Sequence, residues 1–253
     1  MNKRRHQWFR YSYRSSLLLP LIWAVGSYGS WIEKGCRPFL PFVSDLDILQ
    51  PESTIFTVGM TLQGLSLFVL LVFFQQQHAL IIKQLQLGKR WTRLQQLSFL
   101  PGFVATVSCV GLAWAAWNTH IIQHRNLAYG IFFGGVLWAG FSSLLTWKIS
   151  QTVTAVQWYF RLRLVGFVLA SVLLLTFLYM LSVVFGAADF MIEEYIARTF
   201  DQEHFCWYSF NEKMNWAALF EWLFVTCLFF IIFTLNGEFD AISRYIGGQN
   251  PDQ

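Results

Sequence analysis

The hydrophobic positions of this chain fall into six long apolar stretches that are separated by shorter polar segments. Each stretch is nearly free of charged residues, and a bilayer core of about 30 Å needs about 20 apolar residues per helix. Strong apolar–polar alternation of the kind found in membrane β-barrels is absent. The pattern therefore predicts an all-α polytopic membrane protein, with six transmembrane helices in one bundle and a single domain over residues 1–253. The predicted spans are approximately 17–32, 54–74, 97–117, 127–149, 164–187 and 216–235.

The composition supports a membrane protein and excludes several other classes. Of the 253 residues, 55% are hydrophobic and only 13% are charged, whereas soluble domains carry about 25% charged residues. Twelve Trp and twenty-six Phe exceed what a soluble core of this size buries, but a bilayer accommodates them. A disordered chain and a small disulfide scaffold are excluded, because the sequence is too hydrophobic for the first and too poor in cysteine for the second.

The first apolar stretch permits two interpretations. A basic segment precedes it, and Ala24, Val25 and Gly26 resemble a signal-peptide cleavage site. The apolar run nevertheless continues through Ile32. We favour a retained signal anchor, with cleavage as the alternative.

The distribution of basic residues predicts the orientation in the membrane. Thirteen of the eighteen Lys and Arg residues lie in the N-terminal segment, the second and fourth connections and the C-terminal tail. Positively charged residues favour the cytoplasmic side. We therefore expect both termini in the cytosol. The net charge of +4 reflects this topology and does not call for nucleic acid as a partner.

The four cysteines separate by predicted depth. Cys109 and Cys227 lie within spans, whereas Cys36 and Cys206 lie in the two large outer loops, at about residues 33–53 and 189–215. Both outer loops face an oxidising compartment in this topology, so a Cys36–Cys206 disulfide is possible.

Glu221 is the one acidic residue inside a predicted span. An ionisable group in a membrane segment is a functional candidate by default. The alternative is a structural role, in which Glu221 accepts hydrogen bonds from the outer loop around Ser44 or from a neighbouring helix. Glu52 begins the second span, where the helix dipole favours an anion.

Motifs for catalysis and metal binding are missing. His120 and His124 are four residues apart, but spacing places no third ligand beside them, and a zinc site needs three or four. The sequence contains no serine-hydrolase elbow, phosphate-binding glycine loop or Rossmann fingerprint. We therefore predict no catalytic residue, no metal, no cofactor and no enzymatic activity.

Two further features concern packing and the inner surface. Gly130 and Gly134 are four residues apart, and such pairs let helices approach closely; they favour packing within one bundle. The inner connection at residues 75–96 is polar and basic with interspersed Leu and Ile. It is either a helix along the membrane surface, attracted to anionic lipid, or a solvated loop.

Two segments resemble the DRAM family, the damage-regulated autophagy modulators. The first is RPFLPFVSD at residues 37–45 with PES at residues 51–53, and the second is Glu221-Trp222 with Glu238-Phe239 further along. Asp47 departs from the pattern, since a glycine is usual there. The candidate binding motif that follows from this resemblance comprises Ser44, Asp45, Glu52, Glu221 and Trp222.

The resemblance implies a six-span protein of lysosomal or endosomal membranes that promotes autophagy. Relatives in the wider superfamily recruit phosphatidylinositol 4-kinase at the plasma membrane or remodel GPI lipids. Our first hypothesis is a non-enzymatic modulator of autophagy and lysosome function. The alternatives are a protein that handles membrane lipids and a plasma-membrane scaffold for a lipid kinase. The expected partners are membrane lipids, with other membrane proteins or a lipid kinase as further possibilities.

Overall fold

The computed structural model describes residues 3–36, 41–185 and 212–248, and within these residues the chain is helical and forms no strand. This confirms the all-α prediction. Two short 3₁₀ helices lie at Val43–Asp47 and Thr154–Val156. The described residues contain six long helices, which are α1 (Lys3–Glu33), α2 (Glu52–Gln84), α3 (Lys89–Leu112), α4 (Ile121–Ser150), α5 (Gln157–Phe185) and α6 (Glu212–Ile246).

Helices α2 to α6 are each long and apolar enough to cross a membrane. Helix α1 is less hydrophobic but has 31 residues, and it lies along α2 for much of its length. The Gln63 amide donates to the Ser16 carbonyl at 3.0 Å, and the Ser27 hydroxyl donates to the Glu52 carbonyl at 3.4 Å. Helix α1 therefore completes a six-helix bundle. The chain is a multi-pass membrane protein.

Helices that are neighbours in sequence pack against each other most extensively. The closest pairs are α3 with α4, α5 with α6, and α1 with α2, while α6 touches α2 and α4 only sparsely. Large apolar side chains also point outwards, as on α5, where Val168, Val172 and Leu175 are exposed. An outward apolar surface suits lipid. The sparse contacts of α6 with α2 and α4 leave a space inside the bundle.

Small residues allow the close approach of α3 and α4. A Cβ atom added at Gly134 would lie 2.7 Å from the Pro101 carbonyl oxygen, and one at Gly130 would lie 2.1 Å from the Ser108 hydroxyl oxygen. The glycine pair of α4 thus packs inside the bundle, as the sequence indicates.

Helices α2 and α6 both continue past the C-terminal ends of the predicted spans at 54–74 and 216–235. Helix α2 continues to Gln84, so the predicted inner connection at residues 75–96 is mostly helical. Four of its polar residues, Gln75, Gln77, His78 and Gln95, are buried between helices, whereas its basic residues, such as Lys83 and Lys89, are exposed. Gln77, for example, donates from its side-chain amide to the Phe239 carbonyl at 2.6 Å. Helix α2 continues beyond its apolar run because these buried polar side chains form hydrogen bonds with other helices.

Candidate functional site

The segment at residues 41–47, which we call the outer cap, is fixed to the outer part of α6. The Val43 backbone amide donates to Glu221 Oε2 at 2.9 Å, and Trp222 Nε1 donates to the Pro41 carbonyl at 2.8 Å. Glu221 is buried. Two consecutive residues of α6 therefore hold the cap, one by accepting a hydrogen bond and the other by donating one.

Asp45 and Asp47 shape the cap and its junction with α2. Asp45 Oδ2 accepts from the Phe42 backbone amide at 3.0 Å, and Asp47 Oδ1 accepts from the Ser53 hydroxyl at 3.3 Å. Burial raises the pKa of the Asp47 carboxyl to about 7, although hydrogen bonds from Ser53 and Thr57 act in the opposite direction. The residue that departs from the DRAM pattern therefore has a structural contact at the start of α2.

Glu52 has a separate task at the junction of α1 and α2. Its side chain is fully buried, and Glu52 Oε2 lies 2.7 Å from Lys34 Nζ. Lys34 also donates to the Gln50 carbonyl. This ion pair connects the outer end of α1 with the first turn of α2. The structure thus places Ser44 and Glu221 at a common cavity, whereas Asp45 and Glu52 do not line it.

The cavity has a volume of about 160 Å³ and lies beneath the outer cap. Val43 and Ser44 of the cap border it, and the other lining side chains come mainly from α2, α3, α4 and α6. Lining positions on α2, α4 and α6 extend over 15 or 16 residues, which corresponds to about 20 Å at 1.5 Å per residue. Most of the lining is apolar, with a few polar groups, as is typical of small-molecule sites.

The polar lining groups lie mainly in the outer half of the cavity. His124 Nδ1 lies 2.7 Å from the Ala115 carbonyl oxygen, and because a carbonyl only accepts, Nδ1 carries the proton. In the neutral ring, His124 Nε2 is then an acceptor. Gln63 is buried and uses its amide NH₂ on Ser16, while its Oε1 has no hydrogen-bond partner within the described residues. The cavity therefore presents side-chain acceptors from three helices: Gln63 (α2), His124 (α4) and Glu221 (α6).

Substitution of Glu221 tests its contact with the cap. Glu221→Gln keeps an oxygen that accepts from the Val43 amide, whereas Glu221→Leu leaves that buried amide without a partner. Such a loss costs about 1–3 kcal/mol. We expect a lower thermal unfolding temperature and poorer trafficking for Glu221→Leu, with Glu221→Gln close to the wild type. Wild-type behaviour of both variants would contradict this role.

The cysteines give a second prediction. Cys36 is disulfide-bonded, whereas Cys109 and Cys227 are free. Cys206 lies outside the described residues, so the Cys36–Cys206 pairing stays a prediction. Peptide mapping under non-reducing conditions should yield a cross-linked peptide that contains both residues, and a free Cys206 thiol in the native protein would exclude the pairing.

A second buried polar group, which we call the inner cluster, was not predicted from the sequence. Arg163 donates to Glu238, and Glu238 Oε1 lies 2.9 Å from both His78 Nε2 and the Thr146 hydroxyl. Arg163 Nη1 also donates to Thr146 at 2.7 Å, and Arg163 Nε donates to the Thr234 hydroxyl at 3.1 Å. Arg163 and Glu238 are both fully buried.

The inner cluster lies just beyond the ends of the predicted spans, which explains why it was missed. Arg163 immediately precedes the span at 164–187, and Glu238 follows the span at 216–235. In the sequence these residues resemble ordinary cytoplasmic flanking charges. One sequence signal for the burial of His78 was available. Phe74, His78 and Ile81 recur at helical spacing, so His78 lies on the same face of α2 as two apolar residues, and all three are buried.

The family model for the Frag1/DRAM/Sfk1/Cwh43P N-terminal domain matches residues 8–242. The chain therefore belongs to this family, which agrees with the wider superfamily inferred from its end motifs. No curated protein and no solved structure matches the chain.

Proposed function

We propose that this protein is a non-enzymatic modulator of autophagy and lysosome function, which acts from an endosomal or lysosomal membrane by binding membrane lipid. The observation that carries the proposal is the apolar cavity beneath the outer cap, with its few polar groups concentrated in the outer half. Lipid binding is the activity that such a cavity supports within a membrane-embedded bundle. The autophagy assignment and the compartment follow from the resemblance to the DRAM family, and both termini are proposed to lie in the cytosol.

The contacts of His124 support a binding role rather than a catalytic one. Its Nδ1 is held by the Ala115 carbonyl, and no Ser, Thr or Cys side chain of the described residues hydrogen-bonds to this ring. A histidine that activates a nucleophile normally contacts it directly. The His124 ring is therefore held in one orientation and presents Nε2 as a hydrogen-bond acceptor at the cavity wall.

The proposal predicts a loss of autophagic flux in knockout cells under starvation. Rescue by the wild type and by Val172→Phe is expected to be complete, because Val172 faces outwards on α5. Val225→Phe is expected to rescue poorly, since Val225 lines the cavity and the larger ring fills it. A flux reporter and co-staining with endolysosomal and plasma-membrane markers measure both parts of the proposal.

A plasma-membrane scaffold for a lipid kinase is the second candidate, and one observation favours it. Lys89, Arg90 and Arg93 are exposed at the first turns of α3, on the proposed cytosolic side. Each basic residue near an anionic membrane surface contributes about 1 kcal/mol of attraction. This candidate predicts plasma-membrane residence and sensitivity to the triple Glu substitution of these residues. Unchanged flux in the knockout, with the protein confined to the plasma membrane, would reject the autophagy proposal in favour of the scaffold.

A further inference from the structure

The two buried glutamates of α6 are compensated very differently. At the inner cluster, Glu238 has an arginine as an ion-pair partner and contacts with His78 and Thr146. At the cavity, Glu221 accepts one hydrogen bond, from the Val43 backbone amide, and forms no ion pair with any of the described residues. A carboxylate that is removed from water is stabilised by a cation or by several donors. Glu221 thus lacks the cation and the additional hydrogen-bond donors that stabilise Glu238 within the described residues.

Other polar groups of the cavity wall also have unused hydrogen-bonding capacity within the described residues. Gln63 Oε1 is buried without a partner among the described residues, and His124 Nε2 is left as an acceptor by the Nδ1 contact with Ala115. Ser44 is the cap residue that brings a hydroxyl to the same wall. The lining of one cavity thus offers acceptors from α2, α4 and α6, together with the indole N–H groups of Trp23 and Trp138, which have no acceptor among the described residues. A ligand that satisfies the acceptors brings donors, and a positively charged donor also compensates the carboxylate.

The dimensions of the cavity limit the number of hydrocarbon chains that the ligand can have. A cavity of about 160 Å³ whose lining extends along about 20 Å of each helix is narrow, about one hydrocarbon chain wide. The deeper lining includes Leu71, Gly102 and Leu235 and is apolar. A lipid with two chains does not fit side by side within this width.

We infer that the cavity binds a single-chain lipid with a cationic, hydrogen-bond-donating head, such as a long-chain amino alcohol. The ammonium group contacts Glu221, its hydrogen-bond donors reach the acceptors Gln63 and His124, and the chain extends towards Leu235. The outer cap closes over the head through Val43 and Ser44. This inference rests on the proposed lipid-binding function and names the chemical class of the ligand.

The test uses purified full-length protein in detergent and a photoactivatable, clickable sphingosine as the probe. Unlabelled sphingosine, palmitate and dioleoyl phosphatidylethanolamine compete for labelling. Sphingosine is expected to compete at a concentration at least about tenfold lower than either of the others, because palmitate brings an anionic head and the phospholipid brings two chains. Equal competition by palmitate would overturn the assignment of the head, and equal competition by the phospholipid would overturn that of the chain.

Three variants locate the site. Val225→Phe is expected to lower labelling about tenfold or more, while the matched Val172→Phe leaves it unchanged. Ala128→Leu provides a second cavity-filling variant if Val225→Phe is not monodisperse. Glu221→Gln keeps the cap contact but loses the charge, so its labelling should fall although its thermal unfolding stays close to the wild type. Labelling of all variants at the wild-type level would overturn the inference.

The outcome is separable from that of the autophagy proposal. Sphingosine binding at the cavity without any flux phenotype would uphold the ligand class and reject the cellular role. A flux phenotype of Val225→Phe without any preference for sphingosine would uphold the cellular role and reject the ligand class.

Discussion

Replacing Arg163 with Met is expected to lower the free energy of unfolding by about 3–5 kcal/mol, the usual effect of removing one member of a buried ion pair. The substitution leaves the Glu238 carboxylate fully buried without its cation and removes the donors to Thr146 and Thr234. The cluster connects four helices, since His78 lies in α2, Thr146 in α4, Arg163 in α5 and Glu238 in α6. Its loss should therefore weaken the inner half of the whole bundle.

Thermal unfolding of detergent-purified variants measures this effect, and Arg161→Met is the matched control because Arg161 is exposed and lies only two residues from Arg163 in α5. The double variant Arg163→Met/Glu238→Met separates charge burial from the contacts themselves. Removing both ions leaves no uncompensated charge, so we expect the double variant to be more stable than Arg163→Met alone. Equal stability of Arg163→Met and Arg161→Met would show that the inner cluster does not stabilise the bundle.

The two glutamates of α6 show how far the sequence predicts this site. Glu221 stands inside an apolar stretch, so its position alone marks it as exceptional, and a hydrogen bond from the outer loop follows from the need to satisfy a buried carboxyl. Its partner in the structure is the Val43 amide. Glu238 stands among other polar residues near a predicted span end, where a charge is ordinary. Its burial depends on where α2 and α5 bring His78 and Arg163, and that is a tertiary relation.

The same distinction applies to the helices and the cavity. Long apolar runs identify the helices, because hydrocarbon requires internally satisfied backbone groups. Helix ends are less predictable, since Gln77 and other polar residues of α2 are stabilised by contacts with α6 that no local pattern specifies. The cavity arises from the sparse contacts of α6 with α2 and α4. Spacing within one helix carries no information on the distance between two helices.

The outer and inner halves of the bundle stabilise their buried glutamates in different ways. In the inner half, Arg163 and Glu238 form an ion pair and connect helices without bordering the cavity. Outside, Glu221 connects α6 with the cap and also borders the cavity. The first arrangement has its charges paired within the described residues, and the second is the one that we propose a cationic ligand completes. This contrast is the reason why we propose the outer half as the site of binding and the inner half as its structural support.

Gly134→Leu is expected to destabilise the bundle by about 3 kcal/mol, the upper range for overpacking a close interface. A Cβ at this position would lie 2.7 Å from the Pro101 carbonyl oxygen and 3.1 Å from the Ala105 backbone nitrogen. These are main-chain atoms of α3, so they move only if the two helices separate. Gly29→Leu is the control, because a Cβ there meets nothing within 4 Å, and replacing a helical glycine in open space is neutral or favourable by up to about 1 kcal/mol.

Thermal unfolding of both purified variants distinguishes close packing from a general intolerance of larger residues. Equal unfolding temperatures for Gly134→Leu and Gly29→Leu would contradict the close α3–α4 contact, which also sets one wall of the cavity.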